Sequence, residues 1–178
     1  MIRFASLAAL TVALISTGCA TTSEVSGSSP PIATADIVDA TGANVGTARI
    51  TAEGGAAVLH VDARMLKPGQ HGLHLHTVGR CEMPSFTSAG AHLNPASRAH
   101  GMHNPSGPHL GDLPNLVASA DGTAQAKATI SGSIEDLRRS LFDQDGTAIV
   151  VHDGPDDYMT DPSGNSGSRI GCGVFRPG

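Results

Sequence analysis

A chain of 178 residues with 39 % hydrophobic residues has room for one domain and a sizeable core. Its 11 basic and 16 acidic side chains leave a net charge of −5, which excludes the basic footprint of a nucleic-acid-binding protein. Aromatic residues make up only 3 %, with no Trp, against 22 Gly and 11 Pro, so turns and loops must occupy much of the chain.

Met1-Ile2-Arg3, the apolar run Phe4 to Ile15 and the small residues Ser16 to Ala20 form the basic, hydrophobic and small-residue regions of a secretory leader. The run is too short to span a membrane, and it is uniformly apolar, without the stripe of a buried amphipathic helix. Gly18-Cys19 resembles a bacterial lipoprotein processing site, which would make Cys19 the lipidated first residue, although Ser16 stands where that motif usually has Leu. Cleavage after Ala20 by an ordinary signal peptidase is the alternative. Residues 1–19 are therefore predicted as leader, 20–31 as a flexible Ser, Thr, Gly and Pro-rich tether, and 32–178 as the folded domain. Such a chain is exported to the periplasm or cell envelope, with membrane attachment through Cys19 if that residue is lipidated. Losing the leader removes Arg3 and no acid, which takes the net charge to −6.

From Ile32 the pattern becomes short β-branched segments with alternation. Strands are predicted over 32–38, 45–51, 56–62 and 71–76, separated by turn signals at Thr41-Gly42-Ala43-Asn44, Glu53-Gly54-Gly55 and Lys67-Pro68-Gly69. Residues 78–114 have no sustained period of 2 or 3.6 and read as one long loop. Strands resume over 115–120 and 123–131, joined by a two-residue hairpin signal, Asp121-Gly122. A short helix is predicted over 134–141, a buried apolar strand over 147–152, a second polar loop over 153–168 and a closing strand over 169–175. Eight strands with turn signals predict an all-β fold: an eight-stranded antiparallel Greek-key sandwich or barrel, immunoglobulin-like, with two long functional loops. A loop as long as 78–114 needs something to order it, and metal ions and a disulfide would do so.

Of three cysteines, Cys19 belongs to processing, which leaves Cys81 and Cys172 as a pair in an oxidising compartment. Closing a loop of this size restricts the unfolded chain by about 4–5 kcal/mol in the chain-entropy model. The histidines are more telling. Seven of nine fall between positions 71 and 112, and Asp112 and His152 follow. In His74-Leu75-His76 two imidazoles leave one face of a strand, so one ion can take both.

Gly72-Leu73-His74-Leu75-His76, Ser88 to Pro95 around His92, Ser97-Arg98-Ala99-His100-Gly101, His109-Leu110-Gly111-Asp112-Leu113, Val150-Val151-His152 and Gly167 to Gly173 stand in this order along the chain. Together they resemble the copper/zinc superoxide dismutase family over about residues 31–176. The resemblance implies copper, cycling between Cu(II) and Cu(I), held by His74, His76, His92 and His152. It also implies Zn(II) held by His92, His100, His109 and Asp112, with His92 bridging the two ions. Arg169 corresponds to the family's anion-guiding arginine. His71 and Asp156 match supporting positions, the latter between a copper-ligand and a zinc-ligand imidazole. His60 and His103 have no counterpart; His60 is expected as a solvated strand residue, His103 as a loop residue, and Phe142 and Tyr158 as packing.

The implied reaction is dismutation of superoxide to oxygen and hydrogen peroxide, with Arg169 and His92 as catalytic residues. With only Lys67 and Lys127 in the chain, steering by a lysine-rich rim is weak, and the local field of Arg169 and copper must draw the anion. The rival reading is a non-catalytic exported copper/zinc-binding or buffering protein. It predicts loss of Arg169 or of a copper ligand, and both are in place. A monomer and a homodimer are equally compatible with the sequence.

Overall fold

The computed structural model describes residues 30–178, together with Met1 and Ile2. The predicted leader with Cys19 and nearly all of the tether lie outside the described residues.

Three long strands come first: β1 (Ala33–Asp39), β2 (Asn44–Glu53) and β3 (Ala56–Ala63). Each alternates inward and outward residues: Val45, Ala48 and Ile50 of β2 are buried, while Thr47 and Arg49 face out. Two short strands, β4 (Gly69–His71) and β5 (Leu73–His76), lead into the long loop. After it come β6 (Leu116–Ala118), β7 (Ala124–Ile130), the helix α1 (Ile134–Leu141), β8 (Ala148–His152), β9 (Arg169–Val174) and β10 (Arg176–Pro177). All pairings are antiparallel, in the order β4-β6-β7-β3-β2-β1-β9-β8-β5, with β10 also on β1.

That order explains why there are ten strands among the described residues where eight were predicted. Segment 71–76 divides at Gly72, and its halves pair at opposite ends of the sheet, β4 with β6 and β5 with β8. Since one residue separates them, the sheet must curl until its ends meet, giving a nearly closed barrel. Gly72 sits at the seam: its N–H donates to the Gly154 carbonyl at 2.8 Å, and its carbonyl accepts from His152 N–H at 2.9 Å. A Cβ there would lie 2.7 Å from the Ser166 Cβ, so the seam admits only glycine. The predicted closing strand is β9, and β10 adds a short pairing with β1 beyond its predicted end.

Ile37, Ile50, Leu59, Leu73, Leu75, Leu116 and Ile149 fill the interior. Helix α1 starts at its cap, where Ser133 Oγ accepts from Asp136 N–H, and it buries Leu137 and Leu141 against this core. Phe142 packs beside it as expected. The β6–β7 hairpin forms, but its turn closes from Gly122 N–H to the Ser119 carbonyl at 2.9 Å, with Gly122 at φ +80°. The connection is one residue longer than the two-residue turn read from Asp121-Gly122, because glycine takes the left-handed position after the turn.

Backbone pairing and apolar burial order the long loop, in addition to the disulfide. Leu75 N–H of β5 donates to the Gly111 carbonyl at 2.9 Å, Leu93 N–H to the Leu75 carbonyl at 2.8 Å, and Gly111 N–H to the Leu93 carbonyl at 2.9 Å. Residues 93 and 111 thus add backbone pairing to the free edge of β5, while Phe86, Leu93 and Leu113 bury side chains. A Cβ at Gly111 would fall 2.3 Å from the Leu75 carbonyl oxygen. The predicted disulfide joins Cys81 of the loop to Cys172 of β9, with Cα atoms 5.7 Å apart.

Candidate metal centre

Strand register brings three of the histidines together. Val150 stands opposite His74, so His152, two residues along β8, lies diagonal to it on the same face as His74 and His76. His92 joins them from the loop through a backbone bridge to His76. All four rings are buried, and Leu75 between the first two points into the core. The ring centroids of His74 and His92 are 3.9 Å apart, and those of His76 and His92 4.9 Å.

Each ring has one nitrogen committed to the protein and one left over. His74 Nε2 donates to Asp156 Oδ2 at 2.8 Å, His76 Nδ1 to the Gly90 carbonyl at 2.9 Å, and His152 Nδ1 to the Gly167 carbonyl at 3.1 Å. The remaining nitrogens, His74 Nδ1, His76 Nε2, His92 Nε2 and His152 Nε2, are buried without any hydrogen-bond partner. One ligand atom from each residue lies within 4.8 Å of the others. Leaving one such atom unpaired costs about 1–3 kcal/mol, so four converging orphans make a group that could hold a metal ion. Burial and neighbouring positive groups hold His76 down to about 2 and His152 down to about 3, so both rings offer lone pairs.

The second group is built from the loop. His92 Nδ1, His100 Nδ1 and His109 Nδ1 lie 2.9, 3.1 and 3.1 Å from the same oxygen, Asp112 Oδ1. Asp112 Oδ2 accepts the backbone N–H groups of Gly101 and His109 at 2.8 and 3.0 Å, which fixes the carboxylate. Three imidazole nitrogens and a carboxylate oxygen form a closed four-donor set. Burial opposes charge on His100, but hydrogen bonds to Asp112 and Asp156 outweigh it and raise its pKa to about 9. Burial alone would raise Asp112, yet those same imidazoles hold it far below the usual carboxylate range.

Asp156 lies between the groups: Oδ2 meets His74 Nε2, and Oδ1 lies 3.0 Å from His100 Nε2. Asn115 Oδ1 accepts the Asp156 N–H at 2.9 Å and holds this carboxylate in place. His71 Nδ1 lies 2.7 Å from the His152 carbonyl and Nε2 2.8 Å from the Lys67 carbonyl, tying the β8 end to the β3–β4 turn. Arg169 stands opposite His152 in the β8–β9 ladder. Its Nη1 and Nη2 donate to the Phe86 and Gly90 carbonyls at 2.8 and 2.7 Å, so Gly90 serves both the guanidinium and His76. The two lysines give no open rim: Lys67 pairs with Asp153 and Lys127 with Glu53.

Some residues are corrected or added. His60 is not simply solvated, since its Nε2 lies 2.7 Å from Glu53 Oε1 and 3.2 Å from Thr51 Oγ1. Tyr158 does more than pack; its hydroxyl accepts the Asn115 N–H at 2.7 Å, beside Asp156. His103 is an exposed loop residue, as expected. The sequence reading missed the supporting carbonyls of Gly90 and Gly167, and Gly164, where a Cβ would fall 2.7 Å from His100 Nε2. Their only signal is glycine in a loop, shared with many residues that support nothing.

The family model described as copper/zinc superoxide dismutase matches residues 44–175. The chain is 39 % identical to "Superoxide dismutase [Cu-Zn] 1" of Aquifex aeolicus over 147 residues, covering 80 % of this chain and 86 % of that one. It is 40 % identical to "Superoxide dismutase [Cu-Zn]" of Caulobacter vibrioides over 148 residues, covering 81 % and 85 %. Among solved structures, a point mutant of a SOD-like protein from Bacillus subtilis superposes with a TM-score of 0.74 at 39 % identity, covering 79 % of this chain and 95 % of that one. Barrel, paired histidine groups and matched sequence agree, and the chain belongs to the copper/zinc superoxide dismutase family.

Proposed function

We propose that this chain dismutes superoxide to oxygen and hydrogen peroxide, with copper held by His74, His76, His92 and His152 and zinc by His92, His100, His109 and Asp112. His92 carries the reading: its Nε2 is one of the four orphaned nitrogens, while its Nδ1 faces the Asp112 group. Four buried imidazoles suit copper, and three imidazoles with a carboxylate in a closed, buried set suit zinc. The relatives named as copper-zinc superoxide dismutases support the same activity.

When bound, copper supplies a one-electron Cu(II)/Cu(I) couple and zinc a redox-inert charge. Arg169 binds the anionic substrate, its guanidinium held by two backbone carbonyls beside His76 and His152. The negative charge of the whole chain is screened beyond about 8 Å at physiological salt, so this local cation governs the approach. His92 Nε2 is the atom at which a proton can be held and passed to the reduced substrate, because Nδ1 is retained by the zinc group. Asp156 keeps His74 and His100 in fixed tautomers, so the two groups hold one relative geometry.

Metal analysis with a superoxide assay on the purified mature protein tests this. Copper, zinc and turnover together are expected; metal bound without turnover would turn the reading to a buffering protein. Residues 1–19 act as an export leader, with Cys19 as the lipidated residue of a cell-envelope protein and 20–31 as the tether to the domain at 32–178. The composition of the leader and Gly18-Cys19 support this, and mass spectrometry of the mature N-terminus distinguishes lipidated Cys19 from cleavage after Ala20. Sedimentation separates monomer from homodimer.

A further inference from the structure

The four internal methionines, Met65, Met83, Met102 and Met159, are all exposed. A single exposed thioether needs no explanation. Two of these, however, flank an exposed histidine that neither metal group uses. His103 N–H donates to the Tyr158 carbonyl at 3.0 Å, and Asn104 Nδ2 donates to the Met159 carbonyl at 3.4 Å. A Cβ at Gly101 would lie 2.6 Å from the Met159 nitrogen, so the two backbones touch. Met102 and His103 therefore lie on one exposed segment and Met159 on another whose backbone abuts it.

The placement is held by the surrounding structure. Tyr158 takes a left-handed φ of +62°, unfavourable for a bulky side chain, with its N–H on Asp156 Oδ1 at 2.7 Å and its hydroxyl on Asn115. Its ring packs edge-on against His103 at 5.2 Å. The nearby carboxylate is already engaged: Asp157 accepts from Met159 and Thr160 N–H groups, the Thr160 hydroxyl and Asn165 Nδ2. Two thioethers and an imidazole, with that carboxylate occupied, select a soft, low-charge ion over a hard divalent one.

We propose that Met102, His103 and Met159 form a surface site for a soft monovalent cation, Cu(I) or its analogue Ag(I). The site is separate from both buried histidine groups and stands whether or not those groups turn over superoxide. The test is titration of the reduced, copper- and zinc-loaded protein with Ag(I), following the methionine ε-methyl resonances and the copper and zinc content. One further equivalent of silver is expected, shifting Met102 and Met159 and leaving Met65 and Met83 in place. Met102→Leu, Met159→Leu and His103→Gln, which conserve volume, should each weaken it at least about tenfold, as loss of one donor among three implies. Silver that shifts all four methionines alike or none, that enters only by releasing copper or zinc, or that binds the triple variant as tightly, overturns the proposal.

Discussion

The two halves of the metal centre are assembled by different means. His74, His76 and His152 stand on paired strands, where ladder register fixes which face each ring leaves from, and each spare nitrogen is neutral and unpartnered. His100, His109 and Asp112 come from one loop with little regular structure, and they hold together around a single carboxylate oxygen. The strand half is thus placed by the barrel whether or not an ion is bound, while the loop half supplies its own counter-charge. His92 belongs to both, and Asp156 and Gly90 tie the halves to the frame.

Removing one donor from each half gives the largest expected effect. His76→Ala should abolish copper retention and lower turnover at least about a hundredfold while zinc stays bound, because a lost ligand costs more than the 10–100-fold of a lost supporting contact. His109→Ala should do the reverse to metal content, losing zinc while copper is retained. Metal analysis of both variants checks the division; loss of both ions from either would mean that the halves are not separable. Asp156→Asn keeps the shape and removes the charge facing His74 and His100, so zinc affinity should fall about 10–100-fold with a smaller effect on copper, read by competition with a chelator.

Arg169→Ala leaves both donor sets intact and should lower kcat/KM about tenfold or more, with a flatter dependence on ionic strength. An unchanged rate and salt dependence would remove Arg169 from the mechanism.

The metal-free protein offers a separate test, because its halves titrate in opposite directions. On the copper side, burial first and neighbouring groups next depress His76, His92 and His152 to about 2, 4 and 3. Between pH 6.5 and about 4 the unfolded chain takes up protons that the folded chain refuses. Stability should therefore fall with pH there, by up to about 1.4 kcal/mol per unit for each histidine. On the zinc side His100 is raised to about 9, so its contribution is full below pH 6.5 and is lost as pH rises through 9. Denaturant midpoints of metal-free protein should peak near pH 6.5; a monotonic profile would mean that the halves do not differ in this way.

Much of this was legible in the chain itself. Period-2 alternation marked the strands because one face of each is buried, and α1 matched its predicted bounds because cap and apolar spacing are local signals. His74-Leu75-His76 announced a shared ligand face for the same reason. The extra strands were not legible, since whether Gly72 continues a strand or marks a seam depends on what Ser166, Gly154 and His152 do across the barrel. The pairing of Leu93 and Gly111 with β5 was hidden likewise, because it lies in residues without periodicity.

The sequence by itself determined the all-β class and the one cysteine pair able to close, because these rest on residue chemistry and short-range spacing, while the motifs that carry the family resemblance put in order the nine residues of the two groups and their supports. Only the tertiary structure decided which nitrogen of each imidazole is free, how the loop is held to β5, and that the segment of Met102 and His103 abuts that of Met159. Those depend on which backbone carbonyl or carboxylate from a distant segment faces each group, and no local pattern encodes that.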